Sequence, residues 1–162
     1  ILAMSLVAAA SFILMSRPSR AGWSLTAVGA LVTMPMYPFM LGGYGEVFAQ
    51  ADLNADLFAV LRSMSNVAFY VGQGVMTLGF SVALFQELRS PDPVIPNWLA
   101  WIGIGANAIA GITMLLAHFD LLANFMLGAP FGLIGFAIMA AFGARLSFWS
   151  DSKAHLGSAA ST

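Results

Sequence analysis

Cysteine is absent from the 162 residues, and charge nearly so: six Lys and Arg stand against seven Asp and Glu, 8% of the chain, for a formal net charge of −1. Without thiols there is no disulfide, no thiolate nucleophile, no iron–sulfur cluster and no cysteine-ligated zinc, and the redox compartment is left open. Without a basic field there is nothing to hold a polynucleotide, so no nucleic acid is expected as a partner. A soluble domain carries roughly 25% charged residues; a chain with 8% lacks the polar side chains to cover itself in water. Long polar segments are also missing, which leaves no room for a soluble catalytic domain.

What the chain has instead is apolar length. Hydrophobic residues make up 60% of it, with 16 Gly and 10 Met, a composition suited to helices packed closely in lipid. The patterning predicts an all-α fold: an integral membrane bundle of about five transmembrane helices, over residues 1–16, 22–43, 55–88, 97–117 and 122–148, forming one domain over 1–150. A polar tail, 151–162, follows. The first run, Ile1 to Ser16, would span about 24 Å at 1.5 Å per residue, short of the roughly 30 Å of a bilayer core. Ile1 is not an initiator, and Arg17 and Arg20 follow the apolar run where a signal peptide would place its basic residues before it. The expectation is a chain whose first residues are missing, from a parent of six spans with both ends inside.

Breakers set the boundaries. Pro35 and Pro38 should kink or end the second helix. An acidic connection with Glu46, Gln50, Asp52 and Asn54 leads to the third, where Asp52 or Asn54 can cap and Asp56 suits the positive dipole end. Three prolines between Arg89 and Pro96 stop that helix, His118-Phe119-Asp120 marks the next turn, and Pro130 falls inside the fifth helix.

The few charges orient the bundle. Arg17, Arg20, Arg89, Arg145 and Lys153 fall on one side of the zigzag, while Glu46, Asp52, Asp56 and Asp120 fall on the other, with Arg62 as the only nearby base. The positive-inside rule makes the arginine side cytoplasmic, C-terminus included. Trp23, Trp98, Trp101 and Trp149 lie at the same helix ends, where indoles favour the headgroup layer.

Chemistry has few places to reside. On the third helix Arg62, Asn66, Tyr70, Gln73, Thr77 and Ser81 recur at steps of four and three, within an arc of about 100°. Such a stripe either lines a path for a solute, proton or quinone headgroup, or hydrogen-bonds to neighbouring helices; with Arg62 its only ionisable member, helix contact is the preferred reading. Arg62 should snorkel outward or pair with Glu46, Asp52, Asp56 or Asp120, the alternative being an anion or headgroup site. Gly103, Asn107, Gly111, Met114 and His118 share a face of the fourth helix, and Asn124, Gly128, Gly132, Gly135, Met139 and Gly143 a face of the fifth. Both read as small-residue packing faces. His118 is the one histidine near a helix, the other being His155 in the tail, so neither a bis-histidine haem nor a zinc site can be assembled; an interfacial hydrogen-bonding histidine is the preferred reading, the alternative being a single axial ligand to a pigment. No Ser-His-Asp set, phosphate loop or paired intramembrane carboxylates are present, and no enzyme is expected.

The stretch Phe80 to Gly103, with Leu84-Phe85-Gln86-Glu87-Leu88-Arg89 followed by Ile95-Pro96-Asn97-Trp98-Leu99-Ala100-Trp101-Ile102-Gly103, resembles a pattern in small bacterial multi-span inner-membrane proteins of unknown function. In these a helix ends in a short basic loop and the next opens on an Ile-Pro-x-Trp-Leu-x-Trp-like run. Ala100 departs from the Gly of that pattern. The resemblance covers about residues 60–150; it implies a bacterial inner membrane and carries no catalytic residues.

The function expected is that of a non-catalytic integral membrane subunit, packed among other membrane subunits and lipids in a larger assembly. The alternatives are a small transporter or channel-like module, and a quinone- or lipid-binding accessory subunit of a photosynthetic or respiratory complex. No cofactor is expected in the chain itself; lipid, quinone or pigment would sit at partner interfaces.

Overall fold

The described parts of the apolar runs fold largely as helices. The computed structural model describes residues 2–38 and 55–159, with side chains for all of these but Phe125 and residues 147–159. Helix α1 (Leu2–Leu14) turns into α2 (Arg20–Thr33), followed by the single turn α3 (Met36–Pro38). After residue 54 come α4 (Ala55–Asn66), a π-helical turn (Val67–Val71) and α5 (Gly72–Glu87), which are continuous, then α6 (Asn97–His118), a 3-10 turn (Phe125–Gly128) and α7 (Ala129–Ala159). No strand occurs among the described residues.

The prolines act where their chemistry requires. Pro35 follows the end of α2, and Pro96 stands immediately before α6 with an extended backbone (φ −57°, ψ 143°). Pro130 is not inside a helix, as the sequence suggested, but is the second residue of α7. There a missing N–H costs nothing. The Met126 carbonyl, four residues before Pro130, accepts from the N–H of Ala129. Asn124 stands before the 3-10 turn and not within a helix: its side-chain carbonyl accepts from the Met126 N–H at 3.0 Å and caps the turn. Helix α7 runs on to Ala159, through most of the segment expected to be a loose tail. The expected end of the second helix, the acidic connection and the caps Asp52 and Asn54 lie outside the described residues.

The closest packing joins α2 to α5, antiparallel. A Cβ placed on Gly22 would overlap the backbone of Ala83, one on Gly79 that of Thr26 and Leu25, and one on Gly29 that of Met76. One on Gly72 would overlap Thr33. Gly22, Thr26, Gly29 and Thr33 thus alternate steps of four and three along α2, and Gly72, Met76, Gly79 and Ala83 do so along α5. That is a seven-residue repeat, which keeps one seam in register between two helices. Thr26 and Thr33 turn their hydroxyls back to the Gly22 and Gly29 carbonyls at 2.9 and 2.8 Å, so the seam presents no unsatisfied polar atom. The sequence placed the small-residue faces on the last two helices and passed over this one.

At the α2 start, Trp23 (3% exposed) packs on Phe80 and Phe142, with ring centroids 5.6 and 5.3 Å away. Val94 and Ile95 of the α5–α6 loop close this cluster from below. Trp23 was expected in an interfacial belt; it is instead a core residue, because its indole N–H finds a buried acceptor in Ser19 Oγ at 2.9 Å. Trp98 and Trp101 do lie on the surface.

Among the described residues, three helical segments are long and apolar enough to cross a membrane: Ala55–Glu87, Asn97–His118 and Met126–Leu146. Helix α1 is apolar but shorter. Large apolar side chains are exposed on six of the helices, among them Leu6, Ile13, Val28, Leu57, Ile112 and Leu133.

Candidate functional site

Polar side chains gather at the two ends of α4–α5. At the end formed by Glu87, the α1–α2 turn folds back over the carboxylate. Arg17 Nε donates to Glu87 Oε1 at 2.8 Å and Nη2 to Oε2 at 3.0 Å, a two-pronged ion pair. Ser19 Oγ donates to Oε1 at 2.7 Å and itself accepts from Trp23 Nε1. Beside it the Gln86 side chain accepts from the Gly22 N–H at 3.2 Å. Glu87 is 2% exposed and Arg17 17%. Burying a carboxylate is costly unless it is paired and hydrogen-bonded, and here both oxygens are engaged. With its groups committed to one another, this cluster is a clamp between helix ends. Nearby, the Arg89 guanidinium lies over the Phe85 ring, 4.4 Å from its centroid.

In the sequence Arg17 is legible as a topological charge, and Glu87 has no evident role. One signal was available: an acid within a helix, on the side that carries the arginines, must find a cation.

At the opposite end a cavity of about 550 Å³ opens between α4, the π-turn and the end of α6. Arg62, Ser63, Asn66 and Tyr70 line it from one side, His118 and Asp120 from the other. Arg62 is exposed and bonded neither to Asp56 nor to Asp120, so the ion pair expected with either is not formed; Glu46 and Asp52 lie outside the described residues. Asp120 closes α6 in the left-handed conformation (φ 56°). Its N–H reaches the Ala117 carbonyl at 3.2 Å and that of Leu121 the Leu116 carbonyl at 2.9 Å, the paired bonds of a Schellman motif in which glycine usually takes this position. His118 stands in the last turn of α6, with its ring against Phe119.

The polar stripe therefore divides. Arg62, Asn66 and Tyr70 face the cavity, while Gln73, Thr77 and Ser81 are buried. Thr77 Oγ1 turns back to the Gln73 and Gly74 carbonyls at 2.9 and 3.1 Å, and Ser81 Oγ donates across to the Ile104 carbonyl of α6 at 2.9 Å. The π-turn, Val67–Val71, marks the division. Bonding from i to i+5 takes an extra residue per turn, so a constant 100° step does not hold across it.

The glycine faces also divide. Gly103 admits Leu84 and Ile138, Gly111 lies against Leu78 and Thr77, Gly128 against Thr113, and Gly135 against Asn107. Asn107 Nδ2 donates within α6 to the Gly103 carbonyl at 2.8 Å. Gly132 meets only the Ala110 Cβ, at 4.0 Å, and Gly143 faces open space. Gly143 therefore packs on no neighbour among the described residues. Met114 and Met139 are half-buried. Among the described residues no three His, Asp or Glu side chains gather as a metal site.

Beside the polar cavity, on the adjoining face of α4, runs an apolar groove of about 380 Å³ lined by Val32, Pro35, Ser63, Met64, Val67 and Ala68. Ser63 borders both spaces. Comparison of the chain with models of protein families, with curated proteins and with solved structures finds no match.

Proposed function

We propose that the chain is a multi-span protein of the bacterial cytoplasmic membrane, with five membrane helices and its C-terminus in the cytoplasm, and that it serves as a non-catalytic subunit of a larger membrane assembly. The membrane reading is supported by a small-residue seam inside and large apolar side chains outside. Its orientation follows the arginines, Arg17, Arg20, Arg89 and Arg145, at one end.

The observation that carries the assembly reading is the uneven covering of the spans. In the most apolar eighteen-residue stretch of each span, 61% of the residues are buried in Ala55–Glu87, but 33% in Asn97–His118 and 22% in Met126–Leu146. On α7 the exposed surface includes Ala137, Ala140 and Gly143, and on α6 Gly105, with open space before both glycines. Small outward residues suit a neighbouring helix better than lipid, because they let backbones approach. A transporter or channel draws less support, since a path along the stripe would have to cross the buried Gln73, Thr77 and Ser81.

The test is native electrophoresis after extraction in a mild detergent. Comigration with a larger complex is expected, lost on Ala140→Leu while the thermal stability of the isolated chain is retained. Migration as a free small species would overturn the assembly reading. Because the chain has no cysteine, single cysteines report topology directly: in intact cells Leu121→Cys should react with an impermeant maleimide and Ser90→Cys should not.

A further inference from the structure

The cavity at the α4–α6 end and the groove beside it form a two-part space, polar on one side of Ser63 and apolar on the other. We propose that this space binds one zwitterionic phospholipid, its phosphate on Arg62, its ammonium on Asp120, and one acyl chain in the groove over Met64 and Val67.

Depth comes first. The continuous helix Ala55–Glu87 has 33 residues, about 50 Å at 1.5 Å per residue, against about 30 Å of hydrocarbon. With Glu87 anchored at the cytoplasmic end, the surplus falls at the start of α4, which sets Arg62 at headgroup level and Met64 and Val67 at the top of the chains. A phospholipid changes from polar to apolar at that same depth.

Charge comes second. Among the described residues, the groups that face the cavity are one guanidinium, one carboxylate and one imidazole, with the Asn66 amide, the Ser63 hydroxyl and the Tyr70 phenol beside them. Arg62 has no carboxylate partner among the described residues, and a guanidinium matches the paired oxygens of a phosphate. Asp120, across the cavity, would repel a headgroup carrying only negative charge but complements an ammonium. Its left-handed backbone holds it there where glycine is usual, and left-handed residues of this kind cluster at functional positions. The cavity volume is within the range of small-ligand sites. Next to it the groove offers almost wholly apolar atoms, Val32, Pro35, Met64, Val67 and Ala68, which suit an acyl chain and not a solute.

This inference rests on the membrane reading but not on the assembly reading. The test is native mass spectrometry of the full chain ejected from nanodiscs of phosphoethanolamine and phosphoglycerol lipids in equal amounts, with the melting curve of each variant recorded alongside. The expected result is one retained phosphoethanolamine lipid. Arg62→Gln should lower its retention about tenfold, the loss of one charge-assisted contact. Asp120→Asn, which keeps a side chain tolerant of positive φ, should remove the preference between the two headgroups. Met64→Gln should lower retention of the lipid, and soluble glycerophosphoethanolamine should not displace it at equal concentration. Equal retention by the unmodified chain and Arg62→Gln would overturn the site, as would preference for phosphoglycerol lipid. Displacement by the soluble headgroup would overturn the role of the groove. Failure of the membrane reading would look different: the chain would stay in solution without detergent or nanodisc.

Discussion

Arg17 and Glu87, seventy positions apart, meet through two hydrogen bonds of 2.8 and 3.0 Å and so tie the α1–α2 turn to the end of α5. The α1–α2 turn gains a fixed position from this contact, since Ser19 donates to the same carboxylate and in turn accepts from the Trp23 indole. Removing one partner of a buried pair leaves the other charge uncompensated, which is why such pairs cost more to break than they contribute when formed.

Glu87→Ala should therefore destabilise the bundle by about 3 kcal/mol, and Glu87→Gln by less, since the amide still accepts from Ser19. The measurement is reversible unfolding in mixed micelles. Arg17→Ala combined with Glu87→Ala should cost less than the sum of the two single changes. Strict additivity would mean that the two side chains do not interact.

The glycines sort by what stands in front of them. Gly79→Ala should lower stability by roughly 1–3 kcal/mol, because the added methyl meets backbone and the α2–α5 seam must part. Gly143→Ala and Gly105→Ala enter open space and should be neutral in the isolated chain, or stabilising by up to about 1 kcal/mol, as alanine is the better helix former. Unfolding measurements on the three variants decide it, and a similar loss at all of them would contradict the close antiparallel contact.

Tryptophan fluorescence separates core from surface. Trp23 should emit at shorter wavelength than Trp98 or Trp101 and resist brominated-lipid quenching, which should reach the other two. Trp23→Phe should cost on the order of 1 kcal/mol, for the lost bond to Ser19, and Trp23→Ala about 3–5 kcal/mol. Single-tryptophan variants give the comparison, and a quenchable Trp23 would place it outside the Phe80–Phe142 cluster.

What the residues declare by themselves is class and chain course. Scarce charge and long apolar runs give helices, and the prolines at 35, 91, 93 and 96 end or separate them, because a missing N–H and a fixed φ act locally. The outer polar residues, Arg62, Asn66 and Tyr70, are legible as a stripe for the same reason, since helical periodicity is a short-range property.

Only tertiary packing decides the rest. Nothing near Glu87 in the chain announces Arg17, and the glycines of α2 and α5 become a seam only when the two helices face each other. Periodicity cannot foresee the π-turn at Val67–Val71, which divides the stripe into a lined cavity and a packed contact. Trp23 leaves the surface because Phe80 and Phe142 arrive from distant segments to cover it, and Gly143 stays on it because no neighbour among the described residues arrives. A residue carries its size, charge and hydrogen-bonding groups with it, but its partners come from distant segments, and their positions are properties of the whole fold.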